Sequence, residues 1–151
     1  MEFSHSDEEL VKQPIGYWSW AASQAVVTYI RAGLSGVGLT QPQWWTLHQV
    51  AEHPAGRTRE EITAVLQGYL DIGANLEPEI DATLERGLLE SDDEGRLHFT
   101  EAGEALYAQA AEIQRASRET VHEGVTDAEF LTTMKVLQRM IHNTGGEAWH
   151  H

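Results

Sequence analysis

The sequence predicts a mainly α-helical chain: four helices, a two-stranded hairpin, then two more helices. Three observations predict it. Apolar residues recur three and four apart through most of the 151 residues, the period of a helix with one buried face. "TQPQ", "TREE" and "TDAE" each place Thr three residues before Gln or Glu, the capping box that opens a helix. One stretch, "LLESDDEGRLHF", breaks the helical period with two short runs around a Gly-containing turn, as a hairpin does.

The first helix is expected from about Pro14 to Gly33, with Pro14 near its start, where a missing N–H costs least. Ile15, Trp18, Val26 and Ile30 fall on one face, and Tyr17, Trp20 and Val27 on another. A helix apolar on two faces is buried against more than one partner, and here one partner is expected to be a second copy of the chain. Thr40 with Gln43 opens the second helix. Thr58 with Glu61 opens the third, which is expected to reach about Leu70 through Ile62, Val65, Leu66 and Tyr69. "DIGAN" reads as a turn, with Gly73 available for positive φ. Pro78 suits the first turn of a fourth helix ending at Gly87. Thr100 caps a long fifth helix to about Glu123, and Thr126 with Glu129 opens a sixth. That last helix carries Phe130, Leu131, Met134, Leu137 and Ile141 on one stripe.

Composition narrows the function classes. The chain has no cysteine, so disulfides and thiolate metal sites are excluded. No apolar run approaches the roughly 20 residues of a membrane span. The polar start "MEFSHSDEELVKQ" is unlike a secretory signal and reads as a disordered acidic leader, so the expected location is cytoplasmic. The net charge is −14, and Asn75–Thr100, with eight acids against two bases, carries −6 of it. The acidity is concentrated on one helix and the hairpin. A charge run of this kind is ordinarily a solvated surface, and such a surface repels nucleic acid.

The second and third helices, "GLTQPQWWTLHQVAEHP" and "TREEITAVL", are followed by "ATLERGLLES" and "HFTEAGEAL". In this order, between long flanking helices, they resemble the MarR family of winged helix-turn-helix regulators over about residues 14–143. The resemblance implies a winged helix-turn-helix lobe at 37–100, dimerisation helices at 14–36 and 101–143, and a flexible tail at 144–151. It also implies a homodimer that places a recognition helix in the major groove of double-stranded DNA. A small aromatic ligand would bind near the junction of dimer and lobe, making the chain a ligand-responsive transcriptional regulator. DNA contact would then fall to Arg57, Thr58, Arg59, Arg86 and Arg96.

Two departures from the family pattern stand out. The recognition helix is atypically acidic, offering Glu77, Glu79, Asp81, Thr83 and Glu85 with Arg86 as its cation. The wing is shortened to "SDDEGR". Phosphate contacts supply most nonspecific affinity, so these carboxylates oppose DNA. The alternative reading is a small-molecule-binding protein, or a recruited enzyme, on the same scaffold without DNA binding.

Tyr17, Trp18, Trp20, Trp44 and Trp45 crowd into two helices. Trp44, Leu47 and Ala51 read as a buried face, with Trp45, His48 and Glu52 on an adjoining stripe. The rings either fill the dimer core or line a wet aromatic cleft that satisfies their N–H groups. For the cleft, Tyr17, Trp20, Trp45 and His48 are the ligand-binding candidates. Catalysis, if any, would fall to His48 as base with Glu52 as its orienting carboxylate. His48, Glu52, His53 and His122 do not assemble into a metal-ligand pattern, and "WHH" at the terminus offers only adventitious metal binding, so no metal and no cofactor are expected.

Overall fold

The computed structural model describes residues 2–66, 68 and 76–148. Its helices are α1 (Asp7–Leu10), α2 (Ile15–Ser35), α3 (Gln41–Ala51), α4 (Arg59–Leu66), α5 (Leu76–Glu85), α6 (Glu101–Val121) and α7 (Asp127–Asn143). Three strands, β1 (Arg57–Thr58), β2 (Leu89–Ser91) and β3 (Arg96–Phe99), form one antiparallel sheet in the order β1-β3-β2. The fold is mainly helical with a small sheet, a winged helix-turn-helix. The expected end of the third helix at Tyr69 and Leu70, the turn with Gly73, and His150 with His151 lie outside the described residues.

Capping chemistry sets the helix starts. Thr40 accepts from the Gln43 N–H while Gln43 Oε1 accepts from the Thr40 N–H at 3.3 Å, and Thr126 with Glu129 repeats the reciprocal pair. Thr58 and Glu61 do the same at the start of α4. Thr100 Oγ1 accepts from the Gly103 N–H and donates to the Gly87 carbonyl at 2.6 Å, tying the start of α6 to the turn that follows α5. In the stretch read as a leader, Ser6 and Glu9 cap the single turn of α1.

The hairpin register pairs Leu89 with Phe99, Glu90 with His98 and Ser91 with Leu97. Asp92 closes the wing turn, one carboxylate oxygen accepting from the N–H groups of Glu94 (2.9 Å) and Arg96 (2.8 Å). Gly95 supplies the positive φ of 76° that the turn requires. The sequence reading found two strands; the third, β1, is only Arg57 and Thr58, paired with Leu97 and Arg96. Two residues without an apolar side chain carry no alternation signal, so β1 becomes visible only in its pairing.

The core belongs to the winged lobe. Leu47, Ile62, Leu66, Leu76, Ile80 and Leu97 are fully or nearly fully buried there, with Trp44 at 7% exposure sealing α3. Helix α6 seats tightly on this lobe: a Cβ on Gly103 would lie 1.8 Å from the Leu88 carbonyl oxygen. Helices α2 and α6 cross closely at Gly33, where a Cβ would lie 2.9 Å from Ile113.

The long helices contrast with the lobe. On α2 only Leu34 is buried, while Tyr17 and Trp20 are more than half exposed. No residue of α7 is buried, and its stripe of Phe130, Leu131 and Met134 faces outward with Met140. No described helix is long and apolar enough to cross a membrane.

Candidate functional site

Two neighbouring regions hold the chemistry: an aromatic stack where α3 meets α6, and the outward face formed by α4, α5 and the wing.

Helical spacing of four places Trp44 and His48 one turn apart on α3, with their rings stacked at 5.6 Å. Tyr107 of α6 lies nearly parallel to Trp44, centroids 5.1 Å apart and planes 9° apart. Its hydroxyl is hydrogen-bonded to His48 Nδ1 at 2.9 Å. Phe99, the last residue of β3, tilts against the same Tyr107 ring at 5.4 Å, and Trp45 meets His48 edge-on at 5.6 Å. The stack thus joins α3, the sheet and α6 in one cluster. Burial raises the Tyr107 phenol above its ordinary range, and the negative charge of Glu52 adds to the effect.

Of the four ligand candidates, Trp45 and His48 come together in this stack. Tyr17 and Trp20 come together on the exposed first turns of α2, 6.2 Å apart, with Trp18 beside Tyr17. The described ring contacts do not join the two pairs. Tyr107 is the residue that sequence reasoning missed. It stands seven residues after the Thr100 cap and beside Leu106, in a stretch otherwise of alanine, glycine and polar residues, so nothing in its neighbourhood singled it out. For the catalytic alternative, the partner described for His48 is the Tyr107 hydroxyl rather than Glu52. Among the described residues no group of three acidic or His side chains could hold a metal ion.

On the outward face, Arg59 at the start of α4 reaches α5, pairing with Glu77 at 3.1 Å and with Asp81. Glu77 also accepts from the Thr63 hydroxyl at 3.1 Å. Arg57 donates to Gln49 at 2.6 Å. Arg96 donates to the Gly56 carbonyl at 3.2 Å and lies 3.5 Å from Glu61 and 3.7 Å from Glu94. Arg86 turns back under α3, donating to the Gly38 carbonyl (2.8 Å) and to Gln43 (3.0 Å). The Thr58 hydroxyl caps Glu61.

The acids divide likewise. Glu77, Asp81 and Glu85 are exposed along α5 at spacings of four, one stripe on one face. Glu79 does not belong to it: its carboxylate accepts from Thr40 (2.9 Å) and Gln43 (2.8 Å) and faces the lobe. Thr83, read from the sequence as a solvent-side position, is fully buried and donates to the Ile80 carbonyl at 2.7 Å. On the wing, His98 lies 2.9 Å from Asp92, whose carboxyl is held below its ordinary range by that contact first and by the Arg96 N–H second.

No protein family and no curated protein matches the chain. Solved structures do. A transcriptional repressor, CouR, bound to p-coumaroyl-CoA is 24% identical with a TM-score of 0.69, over 89% of this chain and 96% of that one. A MarR family transcriptional regulator from Silicibacter pomeroyi is 16% identical with a TM-score of 0.69, over 93% and 99%. MarR from E. coli in its reduced form is 22% identical with a TM-score of 0.64, over 85% and 94%. At these identities the likeness establishes the fold, which is MarR-like.

The Tyr107 environment makes a measurable statement. Because the folded phenol sits above its unfolded value, its stabilisation is complete below about pH 10 and is lost as pH rises through the folded value. Tyr107→Phe should remove a phenolate absorbance step above the ordinary tyrosine range and flatten the alkaline fall in thermal stability. An unchanged absorbance titration would contradict this environment.

Proposed function

We propose that the protein is a homodimeric, ligand-responsive regulator of the MarR type. The observation that carries this reading is the outward apolar face of α2 and α7 beside a winged helix-turn-helix lobe. A stripe with Leu131 at 53% exposure and Met134 at 41% is costly to leave in water, and a second copy of the same stripe is its simplest cover. Solved neighbours support the rest of the reading: a Mycobacterium tuberculosis MarR family protein is described in complex with DNA and with salicylic acid.

In this reading α5 enters the major groove, with Arg57, Thr58, Arg59 and Arg96 toward phosphate and Arg86 behind the helix. The ligand is a small planar aromatic molecule at the junction of the long helices and the lobe. Trp45 and His48 form one wall, and Tyr17 and Trp20 the other, completed in the dimer. The stack through Tyr107 would transmit occupancy to the lobe, because the ring joins α3, where a ligand would press, to α6, which carries the dimer.

A second reading is favoured by the charge geometry: a ligand-binding protein that has given up DNA. Arg57, Arg59, Arg86 and Arg96 each already have an acceptor inside the lobe, and Glu77, Asp81 and Glu85 face outward. A docking phosphate backbone would have to compete with two carboxylates for Arg59.

Three measurements test these readings. Sedimentation should give twice the 16.9 kDa chain mass, and Leu131→Glu with Met134→Glu should give the single chain; a monomeric wild type would remove the dimer. Retention on genomic promoter fragments should weaken with salt along a negative log–log slope. Absence of retention at low salt would leave only the second reading. Salicylate, used as the aromatic probe, should quench tryptophan fluorescence in the wild type and much less in Trp45→Ala. Identical titrations would place the aromatic ligand elsewhere.

A further inference from the structure

One to two helical turns from the Gly33 crossing, α2 and α6 border a half-open cavity of about 150 Å³. It is separate from the aromatic stack: no ring of α3 lines it. Val26 and Ile30 of α2 and Val121 of α6 make its apolar wall. Beside Val121, the α6 wall carries Gln114, Ser117 and Arg118, with His122 at the helix end.

The two walls differ in chemistry in a way that packing alone does not require. Gln114 Nε2 is shielded from solvent and has no hydrogen-bond partner among the described residues. Buried polar atoms without partners are few in native proteins, and each calls for an acceptor that completes it. Ser117 is 6% exposed and brings a hydroxyl into the same wall. Arg118 is exposed at the rim and supplies positive charge. The demand is for an acceptor, and the charge at the rim favours an anionic one. A cavity of this volume has room for a molecule of about benzene's size.

We propose that this cavity binds a short, branched aliphatic carboxylate. Its alkyl end packs on Val26, Ile30 and Val121, and its carboxylate accepts from the Gln114 amide and the Ser117 hydroxyl within the field of Arg118. The apolar part of the lining is aliphatic where the stack is aromatic, so the ligand class differs from the planar aromatic molecule assigned to the stack. Occupancy also bears on the last helix. The Arg118 guanidinium lies 5.8 Å from the Phe130 ring centre, and the His122 ring lies 4.7 Å from it. A carboxylate that draws Arg118 inward therefore changes what holds the start of α7, the helix with the uncovered apolar stripe.

Calorimetric titration of the full chain with sodium isovalerate tests the site. Saturable binding of one molecule per chain is expected. Gln114→Leu, near in size, should weaken it about tenfold or more, as loss of a hydrogen bond to a charged group does, and Arg118→Gln, at an exposed position, about threefold. Isovaleramide, matched in shape but uncharged, should bind more weakly. Trp45→Ala should leave isovalerate binding intact while reducing salicylate quenching, so the two sites fail independently. Absence of saturable heat with the wild type would overturn the proposal, as would wild-type affinity in both Gln114→Leu and Arg118→Gln.

Discussion

Arg59 reaches from the first turn of α4 to two carboxylates of α5, Glu77 and Asp81. As an exposed ion pair it contributes little stability, about 0–1 kcal/mol. Its weight lies in charge placement. The cation at the start of α4 is held by two of the acids exposed along α5. Arg96 on the wing stands in the same relation to Glu61 of α4 and to Glu94. The outward electrostatics of the lobe are therefore settled inside the lobe, and any polyanion has to compete with carboxylates already in place.

The apolar residues are just as unevenly divided. The lobe buries its leucines and isoleucines around α3, while α2 buries only Leu34 and α7 buries no residue. Helix α6 spans both environments, seated on the lobe at Gly103 and crossing α2 near Gly33. Tyr107 of α6 belongs to the aromatic stack, and Gln114 and Ser117, about two to three turns further along the helix, line the cavity against α2. One helix thus carries two chemically different surfaces separated by about two turns.

Much of the fold was legible because it rests on local chemistry. Each Thr-x-x-Gln or Thr-x-x-Glu capping box forms at the helix start where the spacing puts it, since capping needs only atoms within one turn. The wing is readable from Asp92 and Gly95 for the same reason. Strand β1 was not, because Arg57–Thr58 is a strand only by virtue of Leu97 and Arg96 beside it. Thr83 and Glu79 show the same gap on α5: both are polar, yet one is buried against its own helix backbone and the other bonded to α3.

The site follows this division. Residue type and spacing alone determined that α3 would carry an aromatic stripe with His48, that the acids would gather on α5 and the wing, and that α7 would own one apolar face. These are properties of a single helix or turn, repeated at fixed periods along the chain. Tertiary structure decided the partners: Tyr107 for His48, carboxylates for Arg59, a carbonyl and an amide for Arg86, and aliphatic α2 side chains across from Gln114. Period says which face a side chain occupies, but its partner comes from chain far away in sequence, and only packing brings that chain within reach.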